Sequence, residues 1–457
     1  MNNELKNVAV LGASGKMGSG IALLLLQEMA LEAATNHKGY SLKLIDTNEE
    51  GLYPLKKYLR SHITKFAEKN IISLREIYKD DTSLISNAEI IDNFVNHAMD
   101  ITTCTTSIDE ASTAKLIFEA IIEDEDIKAG VLNQLSTICS KDTFFFTNTS
   151  SIPIETLNNK AKLQNRLIGF HFYNPPAVQK LLEIIAPDDV NNELKTLANS
   201  LANKLKKIIV YSKDVAGFIG NGHFIPEAIY ACKKATTLAT EIPLHQAISI
   251  LNYISKDYLV RPMGIFQLID YVGIDVCQKI AKVMQNHLHD HTLNAPLIDI
   301  MVDKGIKGGQ HPDGSQKDGF FTYKKTQLIG YYDFIKESYV LFEESNEIHS
   351  LIESLGEPPE LLHSWKSLVK DPLCDEHLKT YFHQLSISNS KGAEIASDLI
   401  RNSISISQEL VNRKIAQSIQ DVSTVLKTGF FHLYGPDAPW VKYFTLNHQQ
   451  ETKSTKR

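Results

Sequence analysis

In the first half of the chain, short apolar runs alternate with stretches whose apolar positions recur every three or four residues. Asn7–Leu11 and Ser41–Ile45 read as strands, Met17–Glu32 as a helix, and Asn48–Asn70 as a long amphipathic helix. Ala114–Ile122, Thr143–Thr147, Leu167–Tyr173 and Leu181–Ile185 read as further strands. Strands separated by helices predict βαβ units and a mostly parallel sheet. From about Ser212 the strand pattern stops, and Phe218–Thr240, His245–Lys256 and Asp275–His289 carry apolar residues at helical spacing. Gly305–Gly319 is a polar, glycine-rich loop ending in Phe320, Phe321 and Tyr323, with a boundary expected soon after it. The rest of the chain is again mostly helical, and the polar stretch Asn447–Arg457 reads as a frayed end. Arg261–Phe266 and Lys427–Phe431 both come after a helix, a coarse sign of two related helical segments.

Composition narrows the class. The 457 residues are 43% hydrophobic and 22% charged, enough to build cored domains rather than a disordered chain. The 47 basic and 54 acidic residues leave a net charge of −7, which argues against a broad nucleic-acid or anionic-membrane surface. The aliphatic run Ile21–Leu26 is too short for a bilayer, so no membrane span is expected. The five cysteines stand singly, without CxxC, so no disulfide framework or cysteine metal site is indicated. No secretory signal is read at the start, and the expected location is cytoplasmic.

Two constellations carry chemistry. The strand Val8–Leu11 runs into Gly12-Ala13-Ser14-Gly15-Lys16-Met17-Gly18 and then a helix. Glycines there permit a tight turn and close approach of a dinucleotide's pyrophosphate to helix N–H groups, although the spacing is one residue longer than GxGxxG. An ordinary strand-to-helix turn reads the same way. Asp46 ends the second strand, where an acid bonds the ribose 2′-hydroxyl and favours NAD over NADP; Asp-Thr-Asn is also a good helix start.

The second constellation is Ile168–Tyr173, then Asn174-Pro175-Pro176, then Val178–Ile185. Two apolar runs about a proline turn predict adjacent antiparallel strands, and pairing centred on Ala177 sets His171 opposite Glu183. A carboxylate against one ring nitrogen fixes the tautomer and raises the basicity of the other, as abstraction of an alcohol proton requires. A structural histidine satisfied by a carbonyl fits the spacing equally well.

The ordered set Gly12–Gly18, Phe118–Asp124, Asn148–Ser151, His171–Pro175, Lys180–Glu183, Lys213–Asn221 and Arg261–Gly264 resembles the L-3-hydroxyacyl-CoA dehydrogenase family. The resemblance runs from about residue 7 to 323, and from about 350 the chain looks like the extra helical copy of long family members. It implies a Rossmann-type α/β domain with a mostly parallel sheet over 1–212. All-α C-terminal domains would follow over 213–330 and, as a degenerate copy, 331–457. The activity implied is NAD-dependent oxidation of 3-hydroxyacyl-CoA in β-oxidation or related acyl-CoA metabolism.

Residue by residue, the resemblance makes His171 the general base, Glu183 its orienting acid, Ser150 a ligand of the substrate oxygen, and Asn221 a ligand of substrate oxygen or nicotinamide. Gly12, Gly15, Lys16, Met17, Gly18, Asp46, Glu123, Lys128 and Asn148 would line the NAD site, and Asn174 would touch substrate. Lys69, last of the stripe Lys57, Ser61, Lys65, Lys69, would meet coenzyme A phosphates; a solvated helix face is the plainer reading of that stripe. Acids in Glu123–Asp126 also suit a first helical turn, and Ser151 suits a helix cap before Ile152-Pro153. Two departures stand out: the extra residue in the glycine turn, and Gly222 where the family carries arginine after Asn221. With no second glycine turn or histidine motif, one active site per chain is expected. The chain is expected to be a monomer or homodimer, with any enoyl-CoA hydratase partner a separate chain. A dehydrogenase of a small hydroxy acid without coenzyme A, or a non-catalytic NAD-binding protein, are the alternatives. The related hydroxyacid dehydrogenases need a lysine that the stretch Gly217–His223 lacks.

Overall fold

A computed structural model describes residues 4–36, 39–311, 314–344, 346–360 and 364–445. Asn447–Arg457, expected to be a frayed end, lies outside the described residues. The chain forms two compact units, Met1–Asp214 and Val215–Arg457.

In the first unit the elements run β1 (Asn7–Leu11), α1 (Lys16–Asn36), β2 (Ser41–Ile45), α2 (Glu49–Lys69), α3 (Ile71–Ile77) and α4 (Asn87–Asp100). Next come β3 (Thr102–Thr105), β4 (Leu116–Glu119), α5 (Glu125–Ile138), β5 (Phe144–Thr147) and α6 (Ile154–Lys160). The unit ends with β6 (Leu167–Phe172), β7 (Leu181–Ile185), α7 (Asn192–Lys204) and β8 (Ile208–Ser212). The eight strands form one sheet, ordered β3-β2-β1-β4-β5-β6-β7-β8, and only the β6–β7 pair is antiparallel. Strands β4 to β7 are buried at every position, as a sheet covered on both faces demands. Along β6, Phe170 and Phe172 point to one face, where they meet Phe118 and Phe146 in edge-on and stacked pairs 4.8–6.1 Å apart. His171 points to the other face. Each buried phenylalanine contributes about 1.5–3 kcal/mol, so this cluster fixes the floor under the histidine.

Helix α1 is long and apolar enough, by length and composition, to cross a membrane, but most of it is buried in the core of this unit. Asn48 caps α2 by accepting the Gly51 N–H, and Leu52, Leu55, Leu59, Ile63 and Ala67 form its buried stripe. The chain leaves the strand expected over Ala114–Ile122 after Glu119, whose carboxylate accepts the Ile121 N–H and turns the backbone away.

The second unit contains α8 (Gly220–Leu238), α9 (Leu244–Tyr253), α10 (Ile265–Val272), α11 (Ile274–Leu288) and α12 (Pro296–Asp303). A three-stranded antiparallel sheet follows: β9 (Phe321–Lys324), β10 (Gln327–Asp333) and β11 (Ser338–Leu341). Then come α13 (Glu347–Glu353), α14 (Trp365–Leu368), α15 (Cys374–Ile387), α16 (Lys391–Asn412), α17 (Ile419–Thr424) and α18 (Lys442–Thr445). The unit is therefore largely helical rather than all-α. The boundary expected at 330 falls inside β10, whose Gly330 pairs with Leu341 and whose Tyr331 pairs with Phe321. Tyr331 also stacks flat on His245 of α9 at 4.9 Å, so tertiary packing holds a strand whose sequence alternates too little to read from periodicity.

One constant spacing relates the two halves of this unit. Helices α8 and α16 begin at Gly220 and Lys391, and π-helical turns begin at Ile254 and Val425. The left-handed residues after those turns are Val260 and Phe431. A Cβ on Gly264 would lie 2.2 Å from the Asn252 carbonyl oxygen, and one on Gly435 would lie 2.3 Å from Ser423 Oγ. The segment matching Arg261–Gly264 is thus His432–Gly435, not Lys427–Phe431, which starts inside the π turn. Helix α16 packs along α8: Tyr230 Oη and Lys234 Nζ reach Asp398 at 2.7 and 2.6 Å. The space beyond Gly222 is taken by Leu410, 3.0 Å from where a Cβ would stand.

Candidate active site

In the first unit, strand order reverses between β1 and β4, and Gly12, Asp46 and Asn148 follow the carboxyl ends of the parallel strands β1, β2 and β5. This is the edge at which open α/β sheets bind ligands. Gly12 leaves β1 with φ +70°, and a Cβ there would lie 2.5 Å from the Ala120 carbonyl oxygen. A Cβ on Gly18 would lie 2.0 Å from the Gly12 oxygen, so both glycines are required by the protein's own packing. Gly15 differs: a Cβ would meet only the Gly12 oxygen, at 3.2 Å, and Gly15 and Lys16 are exposed. Gly15 opens onto the first turn of α1, where Lys16 and Met17 stand and where helix N–H groups can receive a pyrophosphate. Asp46, just past β2, accepts the Ser14 N–H at 2.9 Å, the Ser14 hydroxyl at 2.7 Å and the Asn48 N–H at 3.0 Å. Turn and acid therefore adjoin, and the residues present fit a dinucleotide.

The β6–β7 register sets His171 opposite Glu183. Nδ1 lies 2.9 Å from Glu183 Oε2, with the ring 8% exposed and the glutamate fully buried. The Tyr173 hydroxyl donates to the same oxygen at 2.9 Å; burial, and then the Glu183 charge, push that phenol well above its ordinary value, so it stays a donor. Sequence reasoning missed Tyr173, although its i+2 position on the strand side of His171 was a usable signal. The turn between the strands contains Asn174 in a cis peptide with Pro175, and is anchored from outside. Lys207 Nζ donates to the Pro176 and Gln179 carbonyls at 2.6 Å each and lies 5.5 Å over the Phe172 ring. Burial brings this lysine down to about 8. Pro176 sits on Gly20 of α1, where a Cβ would approach it to 2.7 Å.

Beneath the Asn148–Ser151 turn lies a charged cluster. Lys128 Nζ reaches Glu119 Oε1 at 2.6 Å, the Ile121 carbonyl at 3.3 Å and Glu123 Oε2 at 3.4 Å. Glu119 also accepts the Thr147 hydroxyl at 2.5 Å. Glu123 Oε1 accepts the Thr149 hydroxyl at 2.7 Å, the Ser150 N–H at 2.9 Å, the Ser151 hydroxyl at 2.9 Å and the Ser150 hydroxyl at 3.3 Å. Burial disfavours the Lys128 charge, but Glu119 and Glu123 hold its ammonium above the ordinary lysine value. Burial likewise opposes the Glu123 charge, but Lys128 and the turn's donors hold its carboxyl below the ordinary value. Lys128 is 1% exposed and directs its three protons at these oxygens, so its ammonium braces the turn from below. Glu123 shapes the Ser150 turn in the same way. Asn148 accepts the Phe172 N–H at 2.8 Å, tying that turn to the strand of His171. Ser151 does not cap α6; Asp214 does, accepting the Ile154 and Glu155 N–H groups at 2.6 and 2.7 Å.

Two expected site residues belong to other elements. Lys69 is exposed in the last turn of α2, on a helix face it shares with the exposed Lys57 and Lys65. Asn221 is the second residue of α8, in the other unit.

A glycine turn with an acid after the second strand, and a carboxylate-backed histidine on the same sheet, define a nicotinamide-dependent dehydrogenase. The NAD-binding domain model of 3-hydroxyacyl-CoA dehydrogenase matches residues 7–215, and the C-terminal domain model of the same family matches 252–318. A Caenorhabditis elegans protein described as a probable 3-hydroxyacyl-CoA dehydrogenase is 31% identical over 331 residues, 70% of this chain and 97% of its own. The human mitochondrial hydroxyacyl-coenzyme A dehydrogenase is 29% identical, over 70% of this chain and 92% of its own. The crystal structure of 3-hydroxybutyryl-CoA dehydrogenase from Escherichia coli K12 shares the fold at a TM-score of 0.61 and 19% identity. It covers 98% of this chain and 95% of its own, the C-terminal region included. The chain belongs to the 3-hydroxyacyl-CoA dehydrogenase family and is an NAD-dependent enzyme of it.

Proposed function

We propose that the protein oxidises (S)-3-hydroxyacyl-CoA to 3-oxoacyl-CoA, with His171 as general base and Glu183 as its partner. The observation that carries this reading is the 2.9 Å contact between His171 Nδ1 and a buried Glu183 carboxylate. With Nδ1–H donated to that carboxylate, Nε2 is the basic nitrogen and takes the 3-hydroxyl proton. NAD, when bound, supplies the acceptor for the hydride that leaves C3 as the carbonyl forms. Glu183 favours the imidazolium produced, and Tyr173 keeps the carboxylate oriented. Ser150, whose hydroxyl is held by Glu123 more loosely than those of Thr149 and Ser151, donates to the substrate oxygen. Gly15 and the first turn of α1 receive the pyrophosphate, Asp46 the ribose, and Asn148 the nicotinamide side. Lys69 meets coenzyme A phosphates, and Asn174 contacts the thioester.

The C-terminal half is a degenerate copy of the first helical segment, and its α16 covers α8 in place of a second chain. The working form is then a cytoplasmic monomer, with enoyl-CoA hydration done by a separate chain in β-oxidation or related metabolism. Light scattering that found an obligate dimer through α8 would remove that part of the reading.

Loss of NADH absorbance with acetoacetyl-CoA tests the reaction. Turnover is expected, and His171→Gln or Glu183→Gln should lower kcat by about 10²–10⁴ with NADH affinity unchanged. Turnover of free acetoacetate but not the thioester would replace the substrate class. Tight NADH binding without turnover of either would make the protein non-catalytic.

A further inference from the structure

We infer that Ser14, in the lengthened glycine turn, sets the enzyme's preference for NAD over NADP by locking Asp46 and presenting an acceptor-only hydroxyl beside it. The inference rests on the ribose role given to Asp46 above.

The geometry is specific. Two donors of one residue, the N–H and the hydroxyl of Ser14, converge on Asp46 Oδ2 at 2.9 and 2.7 Å, while Asn48 N–H holds Oδ1 at 3.0 Å. A carboxylate has about four acceptor positions, and three are filled, so the group cannot rotate without breaking bonds to both oxygens. What remains is one position on Oδ1 for a ribose hydroxyl. Ser14 Oγ has its single proton committed to Asp46 and keeps only lone pairs for a ligand. A 2′-hydroxyl can donate to it. A 2′-phosphate, which brings acceptor oxygens and about −1.5 to −2 charges, gets no proton from Ser14 Oγ and faces a fixed carboxylate.

The insertion and its surroundings match. The longer turn carries residue 14 out toward β2, where the Ala13 N–H also bonds the Ile45 carbonyl at 3.2 Å. Gly51, in the first turn of α2, makes room for it: a Cβ there would stand 2.8 Å from Ser14 Oγ and 2.9 Å from Ser14 Cβ. Ser14 can therefore be perturbed from either side.

The test uses the full chain and reads NADH and NADPH dissociation constants by fluorescence titration, with no thioester required. Ser14→Ala, and independently Gly51→Ala, should lower the NADPH-to-NADH ratio of dissociation constants about tenfold, as expected for loss of one charge-assisted bond. Most of the change should come from weaker NADH binding. Two variants at different positions, each checked by its thermal melt, guard against a folding defect in one. A Ser14→Ala ratio within twofold of the parent, or equal weakening of both cofactors, overturns the proposal. If Asp46→Ala collapses the ratio while Ser14→Ala does not, only the Ser14 inference falls. If Asp46→Ala leaves the ratio intact, the ribose reading falls with it.

Discussion

Replacing Lys128 by methionine tests the claim that its ammonium braces the turn. The side chain keeps its length and apolar stem, but the ammonium that lies 2.6 Å from Glu119 and 3.4 Å from Glu123 is gone. Glu119 is fully buried and the Glu123 side chain is 22% exposed, so two carboxylates are left facing each other with little water between. Removing one partner of a buried pair costs about 3–5 kcal/mol. For a unit of this size each kcal/mol moves the melting temperature by about 2–4 °C, giving a fall of about 6–20 °C at pH 7. The sign of the pH dependence discriminates further. In the parent the Glu123 carboxyl is held below its unfolded value, so its contribution is present above that value and lost as pH falls. In the variant, burial and like charge raise carboxyl pKa values, so the variant gains stability as pH falls and protons are taken up. The deficit should therefore shrink between pH 7 and pH 5. Differential scanning fluorimetry of parent and Lys128→Met over that range, with Lys128→Met/Glu119→Gln as partial rescue, is the assay. A melt within 2 °C of the parent at pH 7, or a deficit that widens on acidification, would refute the reasoning.

Gly12→Ala should fail to give soluble protein or melt at least about 3 kcal/mol lower, because its Cβ meets backbone at 2.5 Å with φ +70°. Gly15→Ala should melt within about 1 kcal/mol of the parent yet bind NADH at least about tenfold more weakly, because its Cβ meets the fold at one atom, 3.2 Å away, but stands where a pyrophosphate would approach; melts and fluorescence titrations separate the two. Lys207→Met should lower kcat about tenfold while leaving NADH affinity unchanged, since its ammonium anchors the turn between the catalytic strands. Its folded value is lowered to about 8 by burial, so the folded state binds fewer protons than the unfolded chain between pH 8 and the ordinary lysine range. Parent stability should gain a rising component over that interval that urea titration of the variant lacks.

Where a signal was local, it could be read in advance. The glycine turn lies within one loop, and the His171–Glu183 register follows from two apolar runs placed symmetrically about Ala177. Element boundaries moved by a few residues because caps, not periodicity, end helices: α2 starts where Asn48 accepts the Gly51 N–H, and α6 where Asp214 arrives from far along the chain. Strands β3 and β8 at the sheet edges, and β9–β11, escaped notice because short or half-polar strands carry little alternation.

The amino-acid order alone determined the α/β character of the first unit, its glycine turn and the pairing of His171 with Glu183, because each depends on neighbours a few residues apart. Only the folded chain decided which charged groups meet one another. Lys128 gained its partners once β4 and β5 lay side by side, with the carboxylate of Glu119 between its ammonium and Thr147. Ser14 acquired a role once β1 and β2 set it against Asp46. A charge's partner is chosen by proximity in space, and proximity between distant segments is fixed by strand order, which no single stretch of sequence contains.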